Sequence, residues 1–395
     1  MSGLPTIDEA LALVLAEVAF IGAEDVPVAE AAGRVLHGAA SSLVDLPPFS
    51  SSAMDGYAVR AEDTPGTLAL VGESAAGSPA GRALGPGEAI GISTGAVVPE
   101  GADAVVPVEE TERRGGQVRV GSVGKTDNVR DRGSDVRTGD VVVEGGLLLG
   151  PAQLGALAAV GLARVSCARR PRVAVLATGS ELRRPGEPLG PGEIYESNTT
   201  LLSAQLRTAG ADPVVLAPVA DDEAATRAAL EEGLRHDVLV SSGGVSMGEH
   251  DLVRGALAGL GSRELFWRVA VKPGKPVSFG VAGSTLVFGL PGNPVSSLVG
   301  FELFVRPALC ALQGDRVPGP RFLPGVLGSA VRRDRGRDQL LRARSRVEDG
   351  AVVLDPLKGQ ESHMIGRAAS ADALVLVRRG DGELAAGAGA QYLYF

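Results

Sequence analysis

The chain has 395 residues, more than one ordinary domain needs, so two to four domains are expected. Hydrophobic residues make up 45% and charged residues 22%, a balance that excludes a disordered or low-complexity chain. The net charge of −9, from 38 basic and 47 acidic residues, opposes nucleic-acid phosphates and anionic membrane surfaces, so neither is expected as a partner.

No apolar run approaches the ~20 residues that span a bilayer, and the opening MSGLPTIDEA lacks a basic segment followed by an apolar one. Cys167 and Cys310 stand far apart without metal-ligand spacing, which fits small buried hydrophobes in a reducing, cytoplasmic setting. Of the four lysines, Lys125, Lys272, Lys275 and Lys358, two share the pentapeptide Lys272-Pro-Gly-Lys275-Pro. In a chain whose basic positions are mostly arginine, that pair points to a site needing compact point charges.

In chain order, a helix is expected over 6–20, opened by the Thr6/Glu9 capping box, with Ile7, Leu11, Val14, Leu15 and Val18 on one face. A Pro/Ser-rich segment carries Ser52-Ala-Met-Asp55-Gly-Tyr57, and from about 57 to 148 short valine-rich strands alternate with glycine turns. Pro151 starts a short helix, 151–160, that Gly161 stops. Apolar runs at 172–177, 213–217, 237–241 and 265–271 read as buried strands, separated by helices near 198–209, 222–235 and 251–259. That βαβα alternation predicts a three-layer α/β/α domain around a mainly parallel sheet. Strands 277–281 and 285–289 lead into a long helix with Asn293 as N-cap and Pro294 at N1, which Pro307 is expected to kink or end. After a Gly/Pro-rich linker, 314–325, the remaining residues read as a small β domain.

Ligands of parallel sheets bind beyond the carboxyl ends of the strands. The segments there are Thr178-Gly-Ser-Glu181, Asp221-Asp222, Ser241-Ser-Gly-Gly-Val-Ser-Met-Gly-Glu-His-Asp251, Lys272-Pro-Gly-Lys275-Pro and Pro291-Gly-Asn-Pro294. Glycines there let backbone N–H groups approach an anion, helix starts add favourable dipoles, and Asp222 and Asp251 offer hard oxygen ligands for Mg²⁺. Asp222 and Asp251 could equally cap the helices they precede. No Walker lysine motif and no G-x-G-x-x-G fingerprint occurs, so neither a P-loop kinase nor an NAD site is supported. Asp55 lies in a loop suited either to function or to an Asp-Gly turn, and Arg130, Arg132 and Asp135 form a second charged loop.

Pro47-Pro-Phe through Ser52-Ala-Met-Asp-Gly-Tyr-Ala-Val-Arg60, Thr94-Gly-Ala, Thr178-Gly-Ser-Glu-Leu182, Ser241-Ser-Gly-Gly-Val-Ser, Lys272-Pro-Gly-Lys-Pro and Gly289-Leu-Pro-Gly-Asn-Pro-Val-Ser296 occur in that order. In these motifs the chain resembles the molybdopterin molybdenumtransferases, the MoeA and gephyrin E-domain family. The resemblance implies a discontinuous N-terminal linker and dimerisation domain (1–45 with 145–170) and an inserted β-rich domain (46–144). It also implies a MogA-like molybdopterin-binding α/β domain (171–313) and a C-terminal β-barrel (320–395). The implied reaction inserts molybdate into the dithiolene of adenylylated molybdopterin, with Mg²⁺-dependent release of AMP and formation of molybdenum cofactor.

On that resemblance Gly179, Ser180, Ser242, Gly243, Gly244, Pro291, Asn293 and Pro294 cradle pterin and nucleotide. Lys272 and Lys275 meet phosphate or molybdate charge, while Glu181, Asp222 and Asp251 hold Mg²⁺ or activate water. Asp55, Thr94 and Asp135 come to the same cleft from the partner of a homodimer. The adenylyltransferase that prepares the substrate and apo-molybdoenzymes that accept the product are implied as further partners. Departures from the family pattern are Ser50 and Ser51, Arg268 after Trp267, and Glu361 before Ser362. The rival readings are the adenylyltransferase itself, which needs only one domain of ~150 residues, and a non-catalytic scaffold, which has no use for the acidic set.

Overall fold

The computed structural model of the protein describes residues 3–244 and 252–395. The chain divides into two compact units, one of Met1–Glu24 with Ala168–Phe395 and the other of Asp25–Cys167.

In the larger unit the run Arg172–Ala177 is buried from its second residue onward, because it has sheet neighbours on both sides and helices on both faces. The six-stranded sheet runs in the order Asp212–Val215, Arg172–Ala177, Val238–Ser242, Thr285–Leu290, Ser278–Ala282 and Arg263–Trp267. The first four strands are mutually parallel, Ser278–Ala282 runs against Thr285–Leu290, and Arg263–Trp267 runs against Ser278–Ala282. Period-two alternation then sorts the side chains into two layers. Val173, Val175, Val240 and Phe288 join Leu202, Leu206 and Leu298 on one face. Ala174, Leu176, Leu239 and Val287 join Leu230, Val253 and Leu257 on the other. The helices are Asn198–Thr208 and the one begun at Pro294 on the first face, and Glu223–Gly233 and Leu252–Gly259 on the second. Gly233 allows the close approach there, since a Cβ would stand 2.6 Å from Leu239 Cδ1.

The opening helix, Ile7–Ala16, carries the capping box read from the sequence and packs Ile7, Ala10 and Val14 into the first of these layers. The long core helix differs from expectation. It runs through Pro307 to Leu312, and a π-helical segment, Phe301–Val305, lies between its two α-helical parts, Pro294–Gly300 and Arg306–Leu312. Pro307 has no N–H and crowds the carbonyl of Leu303, and the wider π turn just before it absorbs the clash. By length and hydropathy this helix could cross a membrane, but 83% of that apolar window is buried inside the fold as its core.

The terminal strands Leu323–Leu327, Asp338–Glu348, Ala351–Pro356, Ala373–Val377 and Gly389–Tyr394 form a closed five-stranded barrel, because Asp338–Glu348 pairs with Ala373–Val377 as well as with Ala351–Pro356. Leu327, Leu341, Leu354, Val375 and Tyr392 fill it. Leu340, Leu374, Leu376 and Leu393 point the other way and join the core of the α/β layers.

In the smaller unit the strands Gly56–Val59, Gly66–Ser74, Glu88–Ile92, Ala104–Pro107, Thr111–Arg114 and Gln117–Val120 form one mixed sheet over Tyr57, Val59, Val106 and Val118. A second core gathers Val26, Val28, Leu36, Val143, Leu149, Leu157 and Val165 around the helix Pro151–Ala159.

Candidate active site at the carboxyl edge of the central sheet

Five of the six strands end on one edge, so their connecting turns lie together there. The turn after Arg172–Ala177 is set by Thr178 N–H donating to Ser242 O (3.0 Å) and Gly179 N–H to Val219 O (3.0 Å). Ser180 Oγ donates to Asp221 Oδ2 (2.8 Å) and accepts the Asp221 N–H (3.0 Å), tying two turns into one rim. Glu181 folds its carboxylate over Gly179, where a Cβ would stand 2.5 Å from Oε2. Asp222 spends Oδ1 on the Ala225 N–H (2.7 Å), as a helix cap. Asp221 is instead the carboxylate beside Ser180, a distinction two adjacent aspartates cannot reveal in sequence.

Gly243 (φ +93°) and Gly244 (φ +64°) follow Val238–Ser242 in conformations that disfavour a side chain. A Cβ would lie 2.5 Å from Thr178 O at the first and 2.5 Å from Val253 Cγ2 at the second. Thr178 Oγ1 is buried beside both glycines and has no hydrogen-bond partner among the described residues. The segment 245–251, with Asp251, lies outside the described residues.

Pro291, Gly292 and Asn293 make the neighbouring turn. Asn198 Nδ2 donates to Gly292 O and to Ser242 Oγ, each at 2.7 Å, and Ser297 Oγ donates to Pro291 O. Asn293 occupies the N-cap position and Pro294 the first helical one, but the Asn293 side chain makes no capping bond. The N2 donor, the N–H of buried Val295, goes to Ser362 O of the barrel domain at 3.1 Å. That loop is held by Arg342, 1% exposed, which donates to the carbonyls of Met364 (2.8 Å), Gly359 (2.8 Å) and Glu361 (3.2 Å). Neither Asn198, Asp221 nor Arg342 was singled out from the sequence. Asn198 reads as an ordinary helix start, and the contacts of Arg342 depend on barrel closure.

The strand expected over 265–271 is broken in two. It ends at Trp267, Arg268 takes φ +80°, and Val271–Lys272 pairs in parallel with the barrel strand at Asp338 and Gln339. Two guanidiniums lie over the Trp267 ring, Arg268 at 3.7 Å and Arg254 at 4.1 Å from its centroid. The Val269 N–H donates to Lys275 O (2.9 Å), and Gly274 packs toward Ser296 at the start of the core helix. Lys272 is exposed and Lys275 half-buried. Among the described residues, neither makes an ion pair with a carboxylate. Backbone N–H bonds from Gly336, then the charge of Arg337, with a smaller pull from Lys272, hold Asp334 below the usual carboxylate range.

The smaller unit carries a second group. Asp55 Oδ1 accepts the Thr94 N–H at 2.7 Å, so these two sequence candidates meet. Gly56 permits the strand beside them, because a Cβ would lie 2.0 Å from Val106 O. Asp135 is exposed on the turn where its N–H donates to Leu46 O (3.0 Å).

An open α/β sheet with glycine-rich turns, hydroxyls, carboxylates and lysines on one edge, joined to a closed β-barrel, defines a multidomain small-molecule-binding protein of the α/β class. Residues 5–161 match the MoeA N-terminal region (domain I and II), 174–311 the probable molybdopterin binding domain, and 324–395 the MoeA C-terminal region (domain IV). A molybdopterin molybdenumtransferase 2 of Mycobacterium tuberculosis is 40% identical over 378 residues, 92% of each chain. A molybdopterin molybdenumtransferase of Haemophilus influenzae is 35% identical over 390 residues, 97% of this chain and 96% of that one. Among solved structures, a molybdopterin biosynthesis MoeA protein from Pyrococcus horikoshii superposes with TM-score 0.82 at 33% identity, covering 100% of this chain and 99% of that one. The chain belongs to the MoeA family of molybdopterin molybdenumtransferases.

Proposed function

We propose that this protein is a molybdopterin molybdenumtransferase. It inserts molybdate into the dithiolene of adenylylated molybdopterin, cleaving the phosphoanhydride and releasing AMP. The observation that carries this reading is the 40% identity over 92% of both chains to a relative of that name. The site chemistry supports it. Gly179, Gly243, Gly244 and the Pro291–Pro294 turn leave room for backbone to approach pterin and phosphates. Lys272 and Lys275 supply cationic charge, unpaired among the described residues, to the anhydride oxygens and to molybdate.

Mg²⁺ belongs to the proposal. Among the described residues no three His, Cys, Asp or Glu side chains cluster as a metal cage. A hard cation of this kind is bound by one or two carboxylates together with substrate phosphates. Glu181 and Asp221, on the rim joined through Ser180, would hold it, with Asp251 and the second oxygen of Asp222 as further donors. When bound it neutralises pyrophosphate charge. The chain's own residues orient the pterin, place the lysines and keep the anhydride at the rim. A homodimer, in which Asp55, Thr94 and Asp135 act with a second chain's sheet edge, completes the reading, as do the adenylyltransferase and apo-molybdoenzymes as partners in handover.

The test is reconstitution with adenylylated molybdopterin, Mg²⁺ and low molybdate, following AMP release and activation of an apo-molybdoenzyme. Molybdate-dependent AMP release supports the transferase. Tight pterin binding without AMP release leaves a carrier or scaffold instead.

A further inference from the structure

We infer that Asn198 is a positioning residue that sets the two central turns of the binding edge against each other. The inference rests on the proposed function. Asn198 begins the helix Asn198–Thr208 but caps nothing with its side chain, and it is only 8% exposed. Its amide reaches beneath the neighbouring turns and donates to Ser242 Oγ and Gly292 O, each at 2.7 Å.

The orientation of the amide follows from chemistry. A carbonyl only accepts, so the atom facing Gly292 O must be the NH₂ group. Ser242 Oγ accepts from Asn198 and has its own proton for Pro291 O, 3.4 Å away. One side chain thus links, directly and through Ser242, the turn carrying Gly243 and Gly244 to the turn carrying Pro291, Gly292 and Asn293. The two turns lie side by side: a Cβ at Gly292 would meet Gly243 Cα at 3.8 Å, and the Gly243 N–H donates to Leu290 O at 3.2 Å.

The arrangement costs stability. Asn198 Oδ1 is buried and has no partner among the described residues. A residue serving only to fill space there would not need a polar group left half satisfied, and such groups concentrate where geometry serves function. The described contacts of the Asn198 side chain are to the turns, which assigns it to positioning.

The experiment is equilibrium binding of adenylylated molybdopterin to the full chain, measured from pH 5 to 8 alongside thermal melting. Three proteins are compared: wild type, Asn198→Ala and Asn198→Asp. The expected result is a loss of affinity of about tenfold or more for Asn198→Ala, larger than its melting shift accounts for. Asn198→Asp should bind weakly at pH 8, where a carboxylate opposes Gly292 O, and recover relative to wild type towards pH 5, where the acid can donate. Wild-type-like affinity for Asn198→Ala overturns the inference. Equal losses in both variants at every pH, tracking the fall in melting temperature, also overturn it by assigning a structural role. A wild-type chain that binds no adenylylated pterin removes the proposed function and this inference together.

Discussion

Asp55 Oδ1 accepts the backbone N–H of Thr94 at 2.7 Å, joining residues 39 positions apart in one exposed corner of the smaller unit. The bond uses one carboxylate oxygen, and the charge and the second oxygen stay available to solvent or substrate. Asn at this position keeps an oxygen for the Thr94 N–H and removes only the charge. Asp55→Asn should therefore fold normally while molybdate-dependent AMP release falls about 100-fold or more. Mixing it with a Lys272→Met chain checks the dimer reading. Recovered activity in the mixture supports a site shared between chains, and additive loss argues against one.

Lys272 and Lys275 test the need for point charges at the edge. Each Lys→Met substitution should cost roughly 100-fold in AMP release with little change in melting temperature, because neither side chain makes an ion pair in the described fold. Lys→Arg should restore only part of it, since a planar fork does not replace a compact ammonium. Full activity in either Met variant would remove that lysine from the chemistry.

Gly243→Ala should damage both the fold and binding. The residue sits at φ +93°, and the new Cβ would stand 2.5 Å from Thr178 O. A loss of about 1–3 kcal/mol in urea unfolding is expected from backbone strain. Gly116→Ala, where a Cβ meets nothing within 4 Å, is the control and should be near neutral.

The opposite edge of the sheet carries a stability clasp with a pH signature. Asp237 accepts Arg169 Nη2 at 2.7 Å, Arg169 Nη1 at 3.0 Å and the Arg172 N–H at 2.7 Å. Burial pushes its carboxyl up, but the bonds from Arg169 and Arg172 outweigh burial and hold it below the usual range. A lowered folded-state pKa contributes stability that is complete above the unfolded value, about 3.9, and is lost as pH falls through the folded value. Asp237→Asn should thus lower stability by about 1–2 kcal/mol at pH 7, with the gap to wild type closing below about pH 4. A gap that persists unchanged to pH 2 would assign the effect to packing.

Much of the central domain was legible because its strands declare themselves. The run 172–177 matches the observed strand end to end, since valine-rich segments buried on both faces need no partner information to be recognised. The capping box at Thr6 and Glu9 was equally local. What escaped depended on distant chain. The break at Arg268 arises because Val271–Lys272 leaves the sheet to pair with Asp338 and Gln339, a partner that no periodicity near residue 270 reveals. The cap of the core helix was read as Asn293, its correct position, but the bond that closes that end comes from Ser362. Asp222, read from the sequence as a metal ligand or a helix cap, does cap Glu223–Gly233, while the bond to Ser180 belongs to its neighbour Asp221.

The one reversed strand in the central sheet has a consequence for evolution of the edge. Because Ser278–Ala282 runs opposite to its neighbours, the chain leaving Trp267 re-enters the sheet from the same side. In a wholly parallel arrangement that connection would have to travel back across a face as a helix. Here the stretch from Arg268 to Val277 never leaves the rim. Val269, Val271 and Val277 anchor that span in the core, so its length is fixed, and the charge at exposed Lys272 and half-buried Lys275 is what can change there to retune which oxyanion is received.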